Sequence, residues 1–205
     1  MSRRTLKIPI VGASSVGKTC FALTFLSEEG AMPCESGDRL RDVPLTVGVD
    51  RHKKRLTVDG RDILVDIWDT AGEEKTCSQV FSCCFRNAAA AIFMYDITAH
   101  KTFKEINFWV DQAQHKSGNA DMLLILIGNK TDKERRRQVT RLQGEELAKR
   151  LRMDFYEASS FHKGTVDHVF CSIAKKFIEL QRRGVNSEAT VKLYETKTKA
   201  PCIRC

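Results

Sequence analysis

The chain has 205 residues, enough for one domain of ordinary size, and 42% of them are hydrophobic, which provides for a sizeable core. A charged fraction of 29% excludes a disordered polyelectrolyte, while a net charge of +8 suits a partner with phosphates or an anionic membrane surface. The densest basic run, Lys133-Glu134-Arg135-Arg136-Arg137, has no aromatic residue interleaved. It reads as a solvated loop, and nucleic acid is not expected as a partner. The first twelve residues, MSRRTLKIPIVG, lack the apolar run and cleavage site of a signal peptide. No stretch reaches the ~18 apolar residues of a membrane span, so membrane contact would need an anchor. The eight cysteines and five histidines form no zinc pattern; Cys202 and Cys205 have Cys-x-x-Cys spacing but no second pair. The internal cysteines are expected to be reduced and to serve as small buried hydrophobes.

Short apolar runs alternate with helical patterns. Leu6–Val11 is a predicted strand and Lys18–Leu26 a helix. Pro9 is at odds with a central strand, because proline removes a ladder donor. Ser27–Pro44 is a long, turn-rich loop with Gly30, Pro33, Gly37 and Pro44. Val47–Val58 and Ile63–Trp68 flank Asp59-Gly60, a hairpin signal. Ala88–Tyr95 and Met122–Ile127 are apolar throughout, as buried parallel strands are. A helical stretch lies between them, around Phe103–Gln114. Thr140 and Gln143 form a capping box that opens a helix through Leu151, and Asp154–Glu157 is a short strand. Val166, Val169, Phe170, Ile173, Ala174 and Phe177 recur at helical spacing. After Arg183 the periodicity stops, and Gly184–Cys205 reads as a flexible polar tail. The alternation implies an α/β fold, a six-stranded, mostly parallel sheet with helices on both faces and one antiparallel edge strand.

Three motifs carry chemistry. Gly12-Ala13-Ser14-Ser15-Val16-Gly17-Lys18-Thr19 matches the P-loop pattern and sits between a predicted strand and a predicted helix. Its backbone N–H groups and the helix dipole suit phosphate oxygens, Lys18 would reach the β- and γ-phosphates, and the Thr19 hydroxyl would ligate Mg²⁺. Asp69-Thr70-Ala71-Gly72 ends a strand; there Asp69 can hold the Mg²⁺ shell and Gly72 can offer a backbone N–H. Asn129-Lys130-Thr131-Asp132 follows another strand. A carboxylate matches the paired N–H donors of guanine, which adenine lacks, and such a mismatch rejects the wrong base strongly.

With these motifs the chain resembles the Ras superfamily, and within it most the Rab family. The likeness covers about Thr5–Arg183 and rests on Gly17–Cys20 (GKTC), Val47–Asp50 (VGVD), Asp66–Gly72 (DIWDTAG), Phe85–Ala88 (FRNA), Met94–Thr98 (MYDIT), Gly128–Asp132 (GNKTD) and Glu157–Ser160 (EASS), all in family order. The resemblance implies a GTPase domain over 1–183 and a tail over 184–205. It implies that Ser15, Val16, Gly17, Lys18, Thr19 and Cys20 wrap the phosphates. Thr46 would join Thr19 and Asp69 at Mg²⁺ and sense the γ-phosphate. Asn129, Lys130, Asp132, Ser159 and Ser160 would hold guanine, with Phe161 as a stacking candidate or a packing residue on the last helix. Glu73, Gly72 and Lys18 would carry GTP hydrolysis, with Glu73 in the place of the family's glutamine. Arg51 replaces a phenylalanine of the Rab effector surface, Trp68 is kept, and Lys75–Val80 lacks the family's aromatic signature.

By the same resemblance the protein is a monomeric switch between GTP and GDP, slow in hydrolysis and acting in vesicle traffic. Cys202 and Cys205 resemble prenylation sites that would hold it on the cytosolic face of endomembranes. Exchange factors, GTPase-activating proteins, effectors and a lipid-shielding carrier are the implied partners. Two other readings stay open: a pseudo-GTPase that holds GTP and scaffolds effectors, and a P-loop kinase or ATPase, against which NKTD argues.

Overall fold

The structure, a computed structural model, describes residues 5–28, 46, 48–72, 78–117 and 121–197, with side chains left out at 78–81, 116–117 and 183–197. The elements in order are β1 (Thr5–Val11), α1 (Lys18–Leu26), β2 (Val49–Val58), β3 (Arg61–Thr70), α2 (Ser78–Phe85), β4 (Ala90–Asp96), α3 (His100–Lys104), α4 (Ile106–Ser117), β5 (Leu123–Asn129), a 3-10 turn at Thr131–Arg136, α5 (Arg141–Leu151), β6 (Asp154–Glu157) and α6 (Lys163–Lys197). The six strands form one sheet in the order β2-β3-β1-β4-β5-β6. Only β2 and β3 are antiparallel; the remaining neighbours run parallel. The β2–β3 turn places Asp59 and Gly60 at φ 50° and 70°, the left-handed pair that a two-residue hairpin requires.

The burial patterns explain the sequence patterns. Every residue of β4 is buried, because helices cover both of its faces. One core joins Leu6, Ile8, Ile10, Val65 and Ile67 to α1 and α6, where Phe25 and Phe170 stack at 3.9 Å between ring centroids. Such a pair adds about 0.5–1.5 kcal/mol beyond the area it buries. The other core joins Phe93, Tyr95 and Leu126 to Phe85, Trp109, Val110, Leu147 and Ala148. The capping box at Thr140 and Gln143 forms as expected, with both reciprocal bonds present.

Pro9 does lie in the central strand. The backbone of Lys7 bonds toward the β4 side, to Ala89 N, and Pro9, two residues on, turns the same way. The β1–β4 register comprises only Ile10 and Val11, so the missing N–H falls where that ladder has not begun. The helical stretch around Phe103–Gln114 is divided in two at Glu105. The last helix continues to Lys197, past the Arg183 at which the apolar periodicity stops and a flexible tail was expected. Extending a helix adds about one hydrogen bond per residue fixed, and no proline lies between Arg183 and Pro201. The cysteines divide as well: Cys20 and Cys84 are buried, but Cys83 is exposed. Consecutive helical residues point about 100° apart, so only one of the pair can face the core. Most of the long loop, Glu73, Cys202 and Cys205 lie outside the described residues.

Candidate functional site

The β-strand ends at β1, β3, β4 and β5 converge on one edge of the sheet, and three loops meet there. The loop after β1 curls through Ser15 at φ 62° and Gly17 at φ 100° into α1. A side chain at Gly17 would put its Cβ 2.4 Å from Asn129 Nδ2, so the third motif forbids one in the first. No side chain caps α1 and no acid lies in its first turn, which leaves its N-terminal N–H groups and positive potential for an anion. Lys18 is only 5% exposed, and its Nζ donates to the carbonyls of Gly12 and Ala13, each at 3.0 Å. The ammonium is thereby fixed at the mouth of the loop. Cys20 turns its thiol into the core, so only its backbone can serve the loop.

The end of β3 forms the second wall. Asp69 is fully buried, and neither carboxylate oxygen has a hydrogen-bond partner. Burial pushes its carboxyl above the ordinary range, against the pull of the Thr19 hydroxyl and the Lys18 ammonium. Thr19 Oγ1 and Thr46 Oγ1 lie 2.9 Å apart. This donor set is all oxygen, as a hard divalent cation demands, and an unpartnered buried carboxylate is costly without one. The residues fit Mg²⁺. Gly72 abuts the P-loop so closely that a Cβ would stand 2.2 Å from Ser14 Cα, and Ala71 N donates to Gly48 O at 3.0 Å.

The third wall is held by side-chain bonds added to backbone ones such as Thr131 N to Ala158 O. Asn129, fully buried at the end of β5, donates through Nδ2 to Val16 O and to Ser160 Oγ, both at 2.8 Å. Its Oδ1 accepts from Ser160 N at 3.0 Å. Lys130, at φ 70°, donates to Ser15 O at 2.6 Å and pairs with Asp96 at 2.8 Å. Asp132 accepts from Ser159 Oγ at 2.6 Å, and the same hydroxyl receives the N–H of Phe161. Phe161 is half-buried.

The sequence profile of the Ras family matches residues 7–179. The chain belongs to the Ras family. It is accordingly a guanine-nucleotide-binding small GTPase, a switch protein of the α/β P-loop class. Within this Ras-family site the structure brings together Ser15, Val16, Gly17, Lys18 and Thr19 with Asn129, Lys130 and Ser160, and Thr46, Asp69 and Gly72 with the P-loop. Two residues escaped the sequence reading. Asp96 anchors Lys130 and also accepts from the N–H and hydroxyl of Thr98; its place at the end of an apolar strand was the available signal. Thr24, buried in α1, donates to Ser160 O at 2.6 Å, a bond across 136 residues that no local pattern announces.

Proposed function

We propose that this Ras-family protein is a Rab-like switch in membrane traffic that binds GTP and GDP with Mg²⁺. Ser15–Cys20 would hold the phosphates, and Asn129, Lys130, Asp132, Ser159 and Ser160 the guanine. The Asn129 bridge carries this reading, since it ties the phosphate loop and the base loops into one unit. Asp132 is the base selector, its carboxylate matched to the guanine N1 and 2-amino donors and aimed by Ser159. Thr19, Thr46 and Asp69 would hold Mg²⁺, which neutralises charge between the β- and γ-phosphates. Lys18 supplies a fixed cation beside those phosphates, and Gly72 brings its backbone next to the P-loop.

Glu73 stands where the family's water-orienting glutamine belongs, so unaided hydrolysis is slow and a partner raises it. The tail cysteines Cys202 and Cys205 carry lipid, because two lipid chains give the stable anchoring that one does not. Changing both to Ser releases the protein from membranes; membrane retention of that variant defeats the anchor. The reading of the base site is tested by Asp132→Asn, which exchanges a carboxylate for an amide. Nucleotide competition should shift from GTP toward xanthosine triphosphate by about tenfold or more. Equal binding of ATP and GTP by the wild type defeats the assignment.

A further inference from the structure

The helices α4 and α5 rest side by side on one face of the sheet. Ile106, Trp109 and Val110 of the first and Leu147 and Ala148 of the second share a core with Phe93, Tyr95 and Leu126. Close to the strands lies Gly144 of α5, where a Cβ would stand 2.5 Å from the Phe155 ring. The parallel pairing of β4, β5 and β6 makes both helices run back against the strands, so they are parallel to each other. Above the sheet, between α3–α4 on one side and α5 on the other, a cleft of about 460 Å³ remains. Small-molecule sites fall in the range of about 300–1,000 Å³.

The cleft has an apolar floor and charged rims. Leu147 is 4% exposed, and the half-buried Phe103 packs edge to face against Tyr95, 4.9 Å between ring centroids. His100 adds a second ring, 6.0 Å from that of Phe103. Lys104 stands on one rim, Glu146 and Arg150 on the other, all three exposed. The one bond described between the walls runs from Arg150 Nη2 to Asn107 Oδ1 at 3.4 Å, which leaves most of the guanidinium donors for a ligand. Neither Lys104 nor Glu146 forms an ion pair among the described residues.

We infer that this cleft binds a small amphiphilic monoacid, a flat molecule of about two rings that bears a single carboxylate or sulfonate. The eight residues from His100 to Asn107 rise about 10 Å, the length of such a molecule. Its apolar body lies on Phe103 and Leu147, and its acid group meets Arg150 and Lys104. Glu146 repels a second negative charge, so a phosphate monoester fits less well. A partner protein is disfavoured as the occupant, because a specific protein contact buries about 1,000 Å² or more. Among the described residues the exposed large hydrophobic side chains are Phe108 and Leu142, and neither lines the cleft. The nucleotide site shares no residue with it.

The test uses the full chain loaded with GDP and Mg²⁺, so that the nucleotide site is filled. The probe is anilinonaphthalene sulfonate, read by its fluorescence, with naphthoate and naphthylmethylamine as competitors of similar shape and opposite charge. One probe should bind per chain, and the acid should displace it about tenfold better than the amine. Lys104→Glu with Arg150→Glu should weaken binding by about tenfold or more, since two charge-assisted contacts turn repulsive. Lys175→Glu with Arg182→Glu, the same change of charge on α6, should leave it unaltered. Asn107→Trp, which adds bulk at one rim without altering the charge, should abolish it. All five substituted residues are exposed, so the fold is not at stake. Equal displacement by acid and amine overturns the inference. So do undiminished binding by the Lys104 and Arg150 variant or by Asn107→Trp, an equal loss in the α6 variant, and the absence of binding by the wild type.

Discussion

The two sides of the nucleotide site are held in opposite ways. On the base side Asn129, Ser160, Lys130 and Asp132 all find protein partners, at 2.6–3.0 Å. On the switch side neither oxygen of Asp69 has a partner in hydrogen-bond geometry, although the Thr19 hydroxyl is near enough to pull its pKa down, and Thr19 and Thr46 meet at 2.9 Å. Hydrogen bonding within the protein pre-organises the base side. The switch side has a buried charge left over, and its stability depends on what binds there. A switch needs this asymmetry: one side that recognises the base whatever the phosphate count, and one whose order is linked to ligand.

The sharpest break of the comparison is Asn129→Ala. It removes the group to which Val16 O and the Ser160 N–H are bonded. Each buried group so orphaned costs about 1–3 kcal/mol, so urea unfolding of the GDP-bound protein should show a loss of about 3 kcal/mol or more. Release of a fluorescent GDP should accelerate by about two orders of magnitude, since 1.4 kcal/mol is a factor of ten. A stable variant with wild-type release would show that the loops are held together without this bridge.

Asp69→Asn probes the other side and should have the reverse signature. Replacing an unpartnered buried carboxylate with a neutral amide removes a desolvation cost, so in chelator the folded protein should be as stable as wild type or more so. With Mg²⁺ present, the variant should release GDP about 10–100-fold faster, the scale on which altered metal shells act. If stability in chelator falls instead, Asp69 has a structural partner and the contrast between the sides fails.

What the sequence made legible follows from the reach of each interaction. The capping box spans four residues, the hairpin turn two, and the P-loop eight, so residue type and spacing are enough to read them. The strands followed from buried runs such as β4, though their ends moved by one or two residues. Asn129–Val16 spans 113 residues and Thr24–Ser160 spans 136. Those bonds exist only once the parallel sheet has set β1 beside β4 and β4 beside β5. Arg51 shows the same limit. In sequence it is a departure from an aromatic position, and only the register reveals Asp66 beneath its fork and Trp68 beside it. The extension of α6 was missed because it carries no apolar repeat.

The smallest expected effect lies at the joint between the sides, at Asp96. The residue is 6% exposed, and its carboxylate accepts from the Thr98 N–H and hydroxyl and pairs with Lys130, which reaches on to Ser15 O. Burial pushes the Asp96 carboxyl upward, but Lys130 and Thr98 outweigh it and hold the group below the ordinary carboxylate range. A carboxyl depressed by folding stabilises the folded state above its unfolded pKa, about 3.9, and that contribution is lost as pH falls through the folded value. Asp96→Asn should therefore cost about 1–2 kcal/mol at pH 7, the worth of a charge-assisted bond lost from a site that still accepts from Thr98. The gap between wild type and variant should persist down to about pH 4 and narrow below it, as the wild-type carboxylate takes up its proton. Urea midpoints measured from pH 7 downward give the comparison. A gap that stays constant through the acid range would mean that Asp96 acts by shape alone, and the charge of Lys130 would then be balanced elsewhere.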